Sequence, residues 1–156
     1  MIKLYLDGSS IENPGLGGYS CFLQCERYSK KIFKGFRYTT NNRMELLSMI
    51  VSLESLKKDN QLVFIYSDSK YVVDTIRENW INFWFIFFFK NKKNLDLWKR
   101  FWFIYNKNKI NLYWIKSHCK NIKNKLCDTS ALKSSRINSL YIDFFFENDF
   151  KFIFVK

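Results

Sequence analysis

Histidine occurs once in this chain, at position 118, and proline once, at position 14. A lone histidine is a poor start for a zinc centre, which draws on three or four His or Cys ligands at short, recognisable spacings. The four cysteines, Cys21, Cys25, Cys119 and Cys127, contain no C-x-x-C pair, and His118–Cys119 with Cys127 follows no zinc spacing. In a chain long enough to build its own core, such scatter predicts reduced thiols rather than a disulfide framework. No apolar run approaches the ~18 residues of a membrane span. The longest, "WINFWFIFFF" at 80–89, is broken by Asn82. The amino terminus, "MIKLYLDGSS", lacks the basic-then-apolar layout of a leader and meets Asp7 early. The expectation is a soluble, cytoplasmic protein with no membrane role. Acidic residues are also scarce, 14 against 26 lysines and arginines, for a formal net charge of +12. That excess suits a polyanion, nucleic acid first, although the abundance of Lys, Asn, Ile and Phe is equally what a biased genome would write.

What is present reads as one domain. The chain has 156 residues, 47% of them hydrophobic, enough for a single core. Ile2, Leu4 and Leu6 alternate with Lys3, Tyr5 and Asp7, which predicts a strand over 2–7. "ENPGLGG" (12–18) is turn-rich, and "YSCFLQCERY" and "KKIFKGFRY" follow as two strands of an antiparallel meander. A helical pattern runs from Asn42 to about Lys58, with Asn42 as its cap and Glu45 at the third helical position, the spacing of a capping box. "QLVFIYSDS" is a short apolar strand suited to the inside of a sheet. "KYVVDTIRENWINFW" reads as one continuous helix, "NLDLWKRFWFIYN" as another, and "INLYWIKSH" as a fifth strand. A last helix spans about Asn124 to Arg136. Strands and helices in this order make an α/β fold, a mixed sheet with helices packed on it. With no repeat or linker, residues 1–138 form the domain, followed by an apolar tail, 139–156, whose periodicity leaves its state open.

The few carboxylates are placed informatively. Asp7 ends the first strand and Asp68 the fourth; Glu45 and Asp128 are read in the first turns of helices. If the first and fourth strands are neighbours, their carboxyl ends meet where α/β sheets tend to place sites. Clustered carboxylates raise one another's pKa, and hard divalent cations relieve that conflict. Two Mg²⁺ ions about 3.5–4 Å apart are a known apparatus for in-line phosphodiester displacement, one activating water and the other stabilising the leaving oxygen. His118, in a loop after the fifth strand, titrates in the range that suits proton transfer there. Each residue has a plainer reading: Glu45 as part of a helix cap, His118 as a surface or packing residue.

The blocks "YLDGSS", "ENPGLGGY", "TTNNRMEL", "SDSKYV", "NLDLW" and "IKSH…NKLCD" occur in this order over residues 1–136, and the chain resembles type 1 ribonuclease H, the bacterial ribonuclease HI family. The resemblance implies a ribonuclease H-like, five-stranded mixed sheet, three strands antiparallel and two parallel, flanked by helices. It implies an endonuclease that cleaves the RNA strand of RNA/DNA hybrids with Mg²⁺ and leaves 5′-phosphate and 3′-hydroxyl ends; Mn²⁺ is an expected substitute, and, as nothing in the sequence demands more, a monomer is expected. Asp7, Glu45, Asp68 and Asp128 would be the metal ligands and catalytic groups, with His118 a mobile helper. Gly8, Ser9, Asn13, Thr40, Asn41, Asn42 and Ser69 would contact the hybrid, whose 2′-hydroxyls lie in a wide, shallow minor groove within reach of small amides.

Several positions depart from the family. Ser117 stands where glycine is usual, Tyr38 where an arginine is common, with Arg37 beside it, Phe83 for an asparagine and Lys70 for a glutamine. The substrate-binding handle is short and opens with "FWFIFFF", with charge only at Lys90, Lys92 and Lys93. A hybrid affinity weaker than a basic handle gives is expected. Trp80 and Trp84, four apart, would brace the handle or simply pack. Two rival readings remain: a non-catalytic hybrid- or double-strand-binding module, and a DNA resolvase or integrase of the same architecture.

Overall fold

The alternating amino terminus forms a strand, β1 (Ile2–Ser10), extending three residues beyond the expected end. It pairs antiparallel with β2 (Gly15–Cys25), which pairs antiparallel with β3 (Tyr28–Thr39). On its other side β1 pairs parallel with β4 (Leu62–Ser67), which pairs parallel with β5 (Lys109–Trp114). The five-stranded order is β3-β2-β1-β4-β5, the mixed sheet expected. The computed structural model describes residues 1–26, 28–87, 92–116 and 122–153, the last five as backbone only.

Because β1 is central, both of its faces are covered, and Leu4, Tyr5, Leu6 and Asp7 are all buried. An added Cβ on Gly8 would lie 2.2 Å from the Glu45 amide nitrogen, so the even-numbered face of β1 carries α1 (Asn41–Glu54). The opposite face carries α5 (Ile122–Ser134): a Cβ on Gly18 would meet Ser134 Oγ at 2.0 Å, and one on its cross-strand partner Gly35 would meet the Ser134 carbonyl at 1.9 Å. Only glycine permits these approaches. The core between sheet and helices includes Leu4, Leu6, Met44, Ile50, Ile65 and the fully buried Trp98 and Phe101.

Three local expectations are corrected. The cap of α1 is Thr40, extended at φ −124°, ψ 158°, with its side chain accepting from the Arg43 amide. Asn42 lies inside the helix and Glu45 beyond its first turn, so Glu45 takes no part in a capping box. The helix expected over 70–84 is two, α2 (Lys70–Arg77) and α3 (Trp80–Ile86), separated at Asn79, which adopts the left-handed region at φ 57° that asparagine tolerates. α5 begins at Ile122, so Asp128 sits in its second turn rather than its first. Between α3 and β5, α4 (Leu95–Tyr105) follows the sequence pattern closely and supplies Trp98 and Phe101 to the core.

The carboxyl-terminal segment folds onto this frame. Tyr141 bridges the outer edge of β3, donating to the Gly35 carbonyl at 2.9 Å and accepting from the Arg37 amide at 3.0 Å. It leads to α6 (Phe144–Ile153). The buried Asp143 receives two hydrogen bonds of 2.7 Å from Arg43 and one of 2.6 Å from Thr39 Oγ1. Arg43 also forks onto Asp96 at 2.9 and 2.7 Å. Desolvation works against the buried guanidinium, and the two carboxylates outweigh it and raise its pKa. No helix among the described residues is long and apolar enough to cross a membrane.

Candidate active site

Parallel pairing of β1 with β4 is registered through Tyr5 and Tyr66. Two residues beyond that pair, Asp7 lies within β1 and Asp68 just past the end of β4, on neighbouring strands at the end of their parallel pairing. The Asp7 side chain is buried and accepts the Gly8 amide at 2.8 Å. Asp68 leaves the sheet half-buried, its carbonyl held by the Trp114 indole of β5 at 3.2 Å.

Glu45 reaches the same edge because Gly8 lets α1 close onto β1. Its carboxylate is held on both oxygens: Asn41 Nδ2 donates to Oε1 at 2.7 Å, and Ser69 Oγ donates to Oε2. Asp128 is brought in by α5. The neighbouring Cys127 thiol, pushed up to about 12 by burial, donates to the Tyr5 carbonyl at 3.2 Å and fixes the helix against β1.

These placements make one electrostatic unit. Burial raises the Asp7 carboxyl to about 8, the negative charges of Asp68 and Asp128 add to it, the Gly8 amide opposes it, and Glu45 contributes least. Burial likewise raises Glu45 to about 7; the Ser69 bond opposes, Asp68 adds, and Asn41 opposes. Among the described residues, the charged groups acting on Asp7 are the carboxylates of Asp68, Asp128 and Glu45. A buried acid surrounded by its own kind and by hard oxygen donors fits a divalent cation of the Mg²⁺ class. The four face a common region without forming a ready cage: among the described residues, no three His, Cys, Asp or Glu side chains are drawn close enough to hold an ion.

The residues expected at the substrate separate into two groups. Asn13 and Asn42 are exposed, and with Thr40 they line a groove of about 1190 Å³ that Lys92, Lys93, Lys99 and Arg100 also line. The others turn inward. Gly8 is packed under α1, the Ser9 hydroxyl is buried without a hydrogen bond, and Asn41 and Ser69 are engaged with Glu45. Thr40 adds the cap of α1 to its place in the groove. Asn13 Oδ1 accepts from the Asn41 amide at 3.1 Å, so the loop before β2 also holds the start of α1. His118, Ser117 and Cys119 lie outside the described residues.

Sequence reading passed over Arg43, the charged residue that fastens the groove's wall to α4 and the carboxyl-terminal segment. Its partners, Asp96 and Asp143, are 53 and 100 positions away, and no local pattern links them. In the handle, Trp84 packs edge-on against Trp98 at 5.4 Å while Trp80 remains 48% exposed, so the pair divides between packing and surface.

A family model described as RNase H matches residues 1–136. Ribonuclease HI of Campylobacter jejuni is 40% identical over 141 residues, covering 88% of this chain and 95% of that protein. Ribonuclease H of Buchnera aphidicola is 41% identical over 155 residues, covering 96% of this chain and 94% of that protein. Among solved structures, LC9-RNase H1, a type 1 RNase H with the type 2 active-site motif, superposes with a TM-score of 0.77 at 24% identity, over 86% of this chain and 72% of that one. LC11-RNase H1 in complex with an RNA/DNA hybrid gives 0.69 at 19% identity, over 87% and 97%. At those identities the structural likeness speaks for the fold.

Proposed function

The chain belongs to the ribonuclease H family, and from that premise we propose that it is an endonuclease hydrolysing the RNA strand of RNA/DNA hybrids at a site formed by Asp7, Glu45, Asp68 and Asp128, with Mg²⁺ as its working metal and Mn²⁺ able to replace it. The products carry 5′-phosphate and 3′-hydroxyl ends. The protein acts as a cytoplasmic monomer, with residues 1–138 as the catalytic unit and 139–156 as an accessory tail. The observation that carries the reading is Asp7, buried and raised to about 8 among three other carboxylates at the carboxyl edge of the sheet.

When bound, a pair of divalent cations supplies an activated water and charge stabilisation for the leaving 3′ oxygen. The chain's own residues do the rest. Asp7, the most buried of the four, holds the floor of the site on the rigid central strand. Asp68 and Asp128 converge on it from β4 and α5, and Glu45 arrives from α1 with its carboxylate already oriented. Asn13 and Asn42 present amides to the minor groove, where 2′-hydroxyls distinguish RNA from DNA. Lys92, Lys93 and Lys99, which line the same groove, balance backbone phosphates of the second strand. His118 serves as proton carrier and aids release of product.

One end-labelled RNA tests this, offered paired with DNA, paired with RNA and single, with Mg²⁺, with chelator, and with an Asp68→Asn variant. Internal cuts confined to the hybrid and abolished by chelator and variant are the expected result. Folded protein that binds hybrid yet cuts nothing in Mg²⁺ or Mn²⁺ would make it a binding module instead.

A further inference from the structure

Asn41 and Ser69 carry hybrid contacts in the sequence reading, yet both side chains hydrogen-bond the Glu45 carboxylate. Asn41 Nδ2 donates to Glu45 Oε1 at 2.7 Å from one turn earlier in α1. Asn41 is itself fixed, its amide donating to Asn13 Oδ1 at 3.1 Å. Ser69 Oγ donates to the other oxygen of the same carboxylate. That hydroxyl also accepts from the Val72 amide at 3.3 Å as the cap of α2, and the Ser69 amide donates to Ser67 Oγ at 3.2 Å. Ser69 is 4% exposed, so its side chain is out of reach of a duplex.

A glutamate has three side-chain torsions, and a carboxylate left to rotate makes a weak, imprecise ligand. One hydrogen bond on each oxygen fixes the plane of the group while leaving lone pairs on both oxygens. Ser69 follows Asp68 directly and sits at the start of α2, so the same hydroxyl ties Glu45 to the turn that carries the neighbouring ligand. We infer that Ser69 and Asn41 are positioning residues for Glu45, a clamp that sets the affinity of the site for its divalent cation without touching the ion. This rests on the reading of Glu45 as a metal ligand. Ser69 and Glu45 lie 24 positions apart, so no local spacing joins them, and the family resemblance assigned Ser69 and Asn41 alike to the substrate.

The test is Mn²⁺ binding to the full chain, by calorimetry without nucleic acid, for the wild type, Ser69→Ala, Asn41→Ala, Ser69→Thr and Asp68→Asn. Loss of an outer partner of a ligand typically weakens metal affinity about tenfold or more. That loss is expected in both alanine variants, with Ser69→Thr near wild type and Ser69→Ala binding hybrid in chelator as the wild type does. Mn²⁺ affinities within about twofold of wild type in both alanine variants would overturn the clamp while leaving the metal site standing. If the wild type binds Mn²⁺ no better than Asp68→Asn, the metal reading fails and the clamp falls with it. Melting in chelator separates a folding defect, and Asn41→Ala, which removes no cap, carries the expectation should Ser69→Ala fail to fold. An Asn41→Ala that keeps its metal and loses hybrid affinity in chelator would return Asn41 to the substrate.

Discussion

Asp7 and Glu45 couple protonation to stability. Both are raised, to about 8 and about 7, above their ordinary values of 3.8 and 4.5. The folded protein therefore keeps protons that the unfolded chain releases. Their contribution is fully present below about pH 4 and is lost as pH climbs through about 8. In chelator, the melting temperature is expected to fall from pH 5 to pH 8, and added Mg²⁺ should raise it more at pH 8 than at pH 5. A chelated protein that gains stability over that interval would contradict the burial of Asp7. Arg43 poses the opposite problem, a buried cation satisfied by two carboxylates. Arg43→Met leaves Asp96 and the buried Asp143 facing each other uncompensated, with an expected loss of about 3–5 kcal/mol in urea unfolding. Arg37, which pairs with Glu147 at 2.6 Å, is an exposed control; Arg37→Ala should barely move the midpoint.

Contact between elements depends on a few glycines. With its Cβ position 2.2 Å from the Glu45 nitrogen, Gly8→Ala must push α1 off β1. The expected cost is about 2–3 kcal/mol or more, since backbone has to move, and hybrid cleavage should fall further than stability does because Glu45 shifts with the helix. Urea unfolding and a cleavage assay on the same preparation check both halves. The handle makes a different claim. Trp80 and Phe83 are exposed on α3 and Phe87 just after it, and Lys92 lies over the Trp84 ring at 4.8 Å. With so little charge there, Lys92→Ala with Lys93→Ala should lower the salt slope of hybrid binding by no more than about 2. A larger drop would mean that the handle dominates binding after all.

At the scale of the molecule, the carboxyl-terminal segment and the groove share one set of interactions. Truncation after Asn138 removes Asp143 from Arg43 and Tyr141 from the edge of β3. The shortened protein should melt well below the full chain, and adding Arg43→Met should cost it less than the same substitution costs the full chain, because only the fork onto Asp96 is left to lose. Non-additivity of that kind marks one shared network.

Strand alternation and the ordered family blocks were legible in the sequence because they are local, or repeat a pattern over a few residues; Asp7, expected at the end of its strand, lies inside β1, which runs on to Ser10. Alternation, short apolar runs and turn signals placed the five strands and helical periodicity most of the helices, and the four carboxylates were visible as candidates against a basic background. Helix limits were less so: Thr40 and Asn42 are both good caps, and Asn79 gives no local sign that it will take the left-handed region and break a helix. Long-range facts were invisible. Arg43 with Asp96 and Asp143, Gly8 beneath Glu45, Cys127 on the Tyr5 carbonyl and Ser69 on Glu45 each join positions at least 24 apart, and no spacing rule reaches that far. The sequence determined which residues could do the chemistry, because residue type and local pattern are written in it. Only the tertiary structure decided which of them are turned to the groove and which are spent holding another, because that depends on which surfaces come to lie against each other when the core closes.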